Sequence, residues 1–279
     1  MKPATRFEVK YRIPPRHAEE IRRWIPRYME PDQFGEGGEA CYSVHSLYLD
    51  SGDWSIYGDT INGAYARFKL RARCYKFTPE DDMFLEVKAR QGEAMTKTRF
   101  RCSRAEARHI LEGGIPHVGS KPELENFRNH VDQRHAYARL WVTYRRYAYV
   151  GGDRGLIRVT FDDQIAAAPA TADLSEPTRW HLLPIVKDLV VLELKYSGSY
   201  PGWVAEMVRR FDLNRNSMSK YRHSVDLLRR IQGIGPLGEA PPLWRETTLS
   251  AAPSSGDSPV LLPSEPVPAA PLSSTGDAA

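Results

Sequence analysis

The chain is 279 residues long, 41% hydrophobic and 27% charged, enough to bury a sizeable core in one large domain or two small ones. No apolar run approaches the roughly 18 residues of a membrane helix, and the charged opening MKPATRFEVKYR lacks the apolar stretch of a secretory signal. Three widely spaced cysteines, Cys41, Cys74 and Cys102, form no CxxC pair, which argues against a disulfide framework or a structural zinc site and for a cytoplasmic location.

The formal net charge of +4 hides an asymmetry. Residues 236–279 carry one base, Arg245, and five acids, so residues 1–235 hold 38 bases and 30 acids, a net of +8. Arginine outnumbers lysine 29 to 10, a bias that suits planar, multidentate recognition of oxyanions.

Residues 6–13 (RFEVKYRI) alternate strictly, with Phe7, Val9, Tyr11 and Ile13 on one face and Arg6, Glu8, Lys10 and Arg12 on the other, the period of a half-buried strand. A helix is predicted over 15–28, disturbed by Pro26, followed by a strand at 44–50 (VHSLYLD) without positive charge. The strand 66–75 sets Arg67, Lys69, Arg71, Arg73 and Tyr75 against Ala66, Phe68, Leu70, Ala72 and Cys74. LEVKAR at 85–90 and TKTRFR at 96–101 follow, with polar parities Glu86, Lys88, Arg90 and Lys97, Arg99, Arg101.

Helices are predicted at 103–112, capped by Ser103, and at 122–136. Three strands come next: 142–150 with Tyr144 and Arg146, 156–163 with Arg158, Thr160 and Asp162, and 190–196 with Glu193 and Lys195. Two further helices are expected at 201–211, opened by Pro201, and at 216–231, opened by Asn216. From 236 onward nine of the chain's 21 prolines occur, and Pro, Gly, Ser and Ala fill 26 of 44 positions. This predicts a folded domain over 1–235 and a disordered tail over 236–279.

The polar faces of these strands hold 15 Lys and Arg against four acids, Glu8, Glu86, Asp162 and Glu193. Like charges opposite one another across strands repel, so several basic strands in series call for an anion. Seven or eight consecutive antiparallel strands can close into a barrel, giving an α+β fold with flanking helices. With the basic parity inward, the lumen is a positive tunnel. A carboxylate among those bases is a natural Mg2+ or Mn2+ ligand, since hard cations take oxygen donors and bridge phosphates. The histidines show no metal-ligand spacing, and no Ser, Cys or His nucleophile constellation is visible. No nucleic-acid motif appears, and bases on inward positions could not reach a duplex.

The ordered series RxExKY at 6–11, KLRAR at 69–73, FLEVKAR at 84–90, TKTRF at 96–100, YxR at 144–146, RVTFD at 158–162, LELK at 192–195 and SKYR at 219–222 resembles the VTC domain. This is the polyphosphate polymerase branch of the triphosphate tunnel metalloenzymes, a CYTH-like group, here resembling its stand-alone bacterial form. The resemblance implies an eight-stranded antiparallel tunnel binding ATP and inorganic polyphosphate, and transfer of the γ-phosphate to the growing chain. It implies that Lys10, Arg71, Arg73, Lys88, Arg146, Arg158 and Lys195 line the tunnel as catalytic residues. Lys69, Lys97, Arg99, Tyr144, Ser219 and Lys220 join them as phosphate contacts. Glu193 is implied as ligand of a catalytic Mn2+ or Mg2+, with Glu8 and Glu86 as further candidate donors.

Two departures stand out. Arg6 occupies the first glutamate position of the ExExK of hydrolytic relatives, and Ser217 stands where the polymerase pattern places another lysine. An inorganic or nucleoside triphosphatase and a non-catalytic polyphosphate-binding module are the alternatives. A membrane partner protein that receives polymer is left open.

Overall fold

The computed structural model describes residues 6–32, 40–114, 121–151, 157–171, 173–198, 201–216 and 218–232. The boundary at 235, the tail over 236–279 and Ser217 lie outside the described residues.

The strands are β1 (Arg6–Ile13), β2 (Glu30–Pro31), β3 (Cys41–Asp50), β4 (Ala66–Cys74) and β5 (Met83–Gln91), then β6 (Ala94–Cys102), β7 (Tyr137–Gly151), β8 (Ile157–Pro169), β9 (His181–Leu182) and β10 (Val190–Ser197). The helices are α1 (Pro15–Trp24), α2 (Ser55–Ile61), α3 (Arg104–Leu111), α4 (Pro122–Arg134), α5 (Gly202–Arg210) and α6 (Lys220–Ile231). Eight strands form one antiparallel sheet in the order β1-β10-β8-β7-β3-β4-β5-β6, while the two-residue β2 and β9 pair with β7 and β8. These are the eight strands the alternation predicts.

The apolar parity faces outward under the helices. Val9, Tyr11 and Ile13 pack with Ile21 and Trp24 of α1 and Val204 and Met207 of α5. Leu70, Ala72, Leu85 and Val87 pack with α3 and α4 through Ala107, Ile110, Leu124 and Phe127. A third core joins Val44, Tyr48, Leu140 and Val142 to Tyr221, Val225 and Leu228 of α6. Helices α1, α3, α4 and α5 thus cover the apolar parity, while α6 packs on the opposite, basic face, because Val44, Tyr48, Leu140 and Val142 share that face with Ser46, Arg71 and Arg73.

The expected closed barrel is not formed: the sheet curls, but β1 and β6 are not hydrogen-bonded neighbours among the described residues. The edge of β1 away from β10 is taken instead by the chain after α5. Asn216 N donates to Lys10 O at 2.9 Å, and Arg215 bridges to Tyr11. Asn216 therefore does not open the last helix. Ser219 caps α6, its hydroxyl accepting from Arg222 N at 3.3 Å.

Pro26 ends α1 at Trp24 and leaves a 3-10 turn over Ile25–Arg27, shorter than the predicted 15–28. Ser103 caps α3 as expected. Helix α2 was not predicted. Its first turn is held by a distant side chain, Asp50, whose carboxylate accepts from Ile56 N and Tyr57 N, each at 2.9 Å.

Candidate phosphate-binding tunnel

Because directly opposed residues share a face, the register of the sheet decides which inward charges meet. Glu86 of β5 stands between Arg71 of β4 and Arg99 of β6. Its fully buried carboxylate accepts from Arg71 Nε and Arg99 Nε, each at 2.6 Å, and from Lys97 Nζ at 2.7 Å. Burial opposes its ionisation, but Arg71, Arg73 and Lys97 outweigh burial and hold it well below the carboxylate range.

Asp162 of β8 is the second such centre. Arg146 clasps it through two bonds of 2.7 and 2.8 Å, and Lys220 at the start of α6 adds a third at 2.7 Å. Against the effect of burial, Arg146 and Lys220 hold its carboxyl down at about 2.

The third centre joins two carboxylates. Lys10 Nζ lies 2.8 Å from Glu8 and 3.4 Å from Glu193. Lys195 also pairs with Glu193, and Lys88 reaches Glu8 at 3.4 Å from β5. Burial works against the charge on Glu193, yet Lys195, Lys10, Arg146 and Lys220 keep it ionised far below its ordinary range.

Two other cations, Arg73 and Lys69, have hydroxyl partners. Arg73 donates to Ser46 Oγ at 3.3 Å and Tyr144 OH at 3.5 Å. Lys69 donates to Ser219 Oγ at 2.9 Å. Burial lowers the Lys69 ammonium to about 8, and Lys97 is likewise lowered to about 8. Arg158 pairs with Asp32 at 2.5 Å and donates to Tyr42 OH at 3.0 Å. Lys220 also lies 4.7 Å over the Tyr144 ring.

All thirteen phosphate-site residues inferred from sequence thus line one concave surface or its rim. The parity overreaches at the strand ends, where Arg101 is 71% exposed against Asp82 and Arg90 turns back to Gly92 O. The hydroxyls of Tyr42, Ser46 and Tyr48 and the carboxylate of Asp32 were missed. The alternation of Tyr42, Ser46 and Tyr48 is the available signal, a weak one because β3 carries no positive charge on that face.

No group of three or more His, Cys, Asp and Glu side chains that could hold a metal occurs among the described residues. Glu8 and Glu193, on neighbouring strands and sharing one ammonium, nevertheless fit a cation such as Mg2+. That ion is commonly bound by one or two carboxylates together with substrate phosphates and water. Glu86 stands apart from that pair, between Arg71, Arg99 and Lys97.

No helix among the described residues is long and apolar enough to cross a membrane. The family model of the VTC domain matches residues 5–229. A search among curated proteins gives no match. Among solved structures, the chain is similar to a candidate adenylate cyclase from Bacillus halodurans, at 12% identity and a TM-score of 0.47, covering 78% of this chain and 96% of that one. It is also similar to a protein from Pyrococcus horikoshii OT3, at 12% identity and a TM-score of 0.39, covering 80% of this chain and 100% of that one.

Proposed function

From the premise that the chain belongs to the VTC domain family, we propose that it is a metal-dependent polyphosphate polymerase. It transfers the γ-phosphate of ATP to the end of an inorganic polyphosphate chain. Phosphoryl transfer asks for alignment and charge neutralisation rather than a protein nucleophile. Arg71, Arg73, Lys88, Arg146, Arg158 and Lys195 supply the cations along the lumen, with Lys69, Lys97, Arg99 and Lys220 beside them. A terminal oxygen of the acceptor chain forms the new bond to the γ-phosphorus as the bond to the β-phosphate oxygen breaks, and ADP leaves. The attacking oxygen already carries charge, so no proton has to be removed.

One observation carries the preference for transfer over hydrolysis. Each of the four acids on the polar strand faces, Glu8, Glu86, Asp162 and Glu193, is engaged by at least two Lys or Arg side chains. All four are held below their ordinary carboxylate range. A general base that activates water works best with a pKa near the operating pH, and these carboxylates are far from it. Glu193 and Glu8 would hold Mn2+ or Mg2+, which when bound neutralises phosphate oxygens.

The test is one incubation of purified protein with ATP and Mn2+ or Mg2+, sizing products on a gel and measuring free phosphate in parallel. Acid-labile polymer with ADP is expected, and Glu193→Gln should abolish it while leaving the fold intact. Orthophosphate without polymer would make the protein a hydrolase, and no turnover a binding module.

A further inference from the structure

β3 contributes no cation to the lumen, yet it touches three of the tunnel arginines. Tyr42 accepts from Arg158, Ser46 from Arg73 and Tyr48 from Arg71, the last at 3.4 Å. Arg158 and Arg71 also have carboxylates, in Asp32 and Glu86. Arg73 has none at ion-pair distance among the described residues. Arg73 is 7% exposed, and its guanidinium rests on the hydroxyls of Ser46, itself 1% exposed, and Tyr144.

A buried guanidinium ordinarily has a charged partner, because its desolvation is otherwise uncompensated. A carboxylate at Ser46 would supply one, but it would also neutralise the charge and compete with phosphate. A hydroxyl accepts the N–H, fixes the direction of the fork and adds no charge. Ser46 lies directly opposite Arg73 in the register, so its position is set by the strand pair and not by a mobile side chain.

We propose that Ser46 is a positioning residue that holds Arg73 in place while leaving its full charge to the phosphate chain. The idea rests on the tunnel being a phosphate site but not on turnover. It predicts that stability and binding respond to one substitution with opposite signs.

The experiment measures tripolyphosphate binding by calorimetry without metal, together with Tm with and without tripolyphosphate, for Ser46→Ala, Ser46→Thr, Ser46→Asp and Arg73→Ala. Ser46→Ala should weaken binding about tenfold through the lost hydrogen bond to a charged group, and Ser46→Thr should restore it. Ser46→Asp should raise the ligand-free Tm, because Arg73 gains a counterion, yet weaken binding about a hundredfold as a charge-assisted phosphate contact is lost. A purely structural serine would move stability and binding in the same direction. If Ser46→Asp fails to fold, the alanine and threonine variants decide. Wild-type binding in Ser46→Ala would overturn the positioning role, and wild-type binding in Arg73→Ala would overturn the tunnel reading itself.

Discussion

Lys88 on β5 reaches Glu8 on β1 at 3.4 Å, although the two strands stand six places apart in the hydrogen-bond order of the sheet. The inner face is therefore folded onto itself, and a side-chain contact does what backbone pairing does not. Glu8 meanwhile competes with phosphate for Lys88 and Lys10. Glu8→Gln should tighten metal-free tripolyphosphate binding by up to about tenfold, with little loss of stability for so partly exposed a pair. Turnover with Mn2+ should fall as an oxygen donor is lost. Calorimetry without metal and a product assay with it check the two halves, and unchanged metal-free affinity would show that Glu8 is no competitor.

Glu86 gathers Arg71, Lys97 and Arg99. Replacing it with glutamine leaves those cations facing one another without an anion. Breaking a buried pair costs about 3 kcal/mol at the lower end of its range, appropriate here because Lys97 and Arg99 are partly solvated. Denaturant unfolding should show that loss, and saturating tripolyphosphate should recover more stability in Glu86→Gln than in the wild type.

Burial lowers Lys69 to about 8 in the free protein, with Lys97 similarly placed. Below that pH both are protonated with or without ligand, and binding is insensitive to them. Above it the free ammonium groups lose protons that a bound polyanion draws back. Tripolyphosphate affinity should therefore fall as pH rises from about 8 towards the ordinary lysine value, with proton uptake on binding. Calorimetry in buffers of different ionisation enthalpy measures the uptake. Lys69→Arg, charged throughout, should flatten the profile.

Tyr221, next to Lys220, donates its phenol to the fully buried carboxylate of Asp50, which also accepts from Ser51 N, Ile56 N and Tyr57 N. The bond fastens the start of α6 to β3. Tyr221→Phe should cost about 1.5–3 kcal/mol, the range for a hydrogen bond to a charged group, and should weaken phosphate binding through Lys220. A double-mutant cycle with Lys220→Ala checks the link: the binding effect of Tyr221→Phe should shrink once Lys220 is gone.

Period-2 alternation makes Lys69, Arg71 and Arg73 legible as one inward face, because a strand has only two faces and the apolar one must be covered. The same rule located all eight strands of the curled sheet and the cations between Lys10 and Lys195. What it cannot carry is register. Nothing local says that Glu86 meets Arg71 and Arg99, or that Asp162 meets Arg146, since those partners are chosen by strands far apart in sequence. Helix α2 escaped because its first turn depends on Asp50, beyond the reach of a capping pattern. Ser46 escaped because its meaning is relational: an unremarkable serine acquires a role only opposite Arg73. The open seam was illegible for the same reason, since it depends on Asn216 reaching Lys10.

β1 pairs along its whole length with β10, Arg6 opposite Ser197 and Ile13 opposite Val190. β1 thus finds its ladder only once β10, about 180 residues further along the chain, has been made. Until then the backbone groups that β1 presents to β10 have no partner. Pairing across so long a separation carries a large loop-closure entropy and slows folding. Translation must therefore run almost through the domain before the lumen exists, and a nascent chain stalled ahead of β10 should not yet retain polyphosphate.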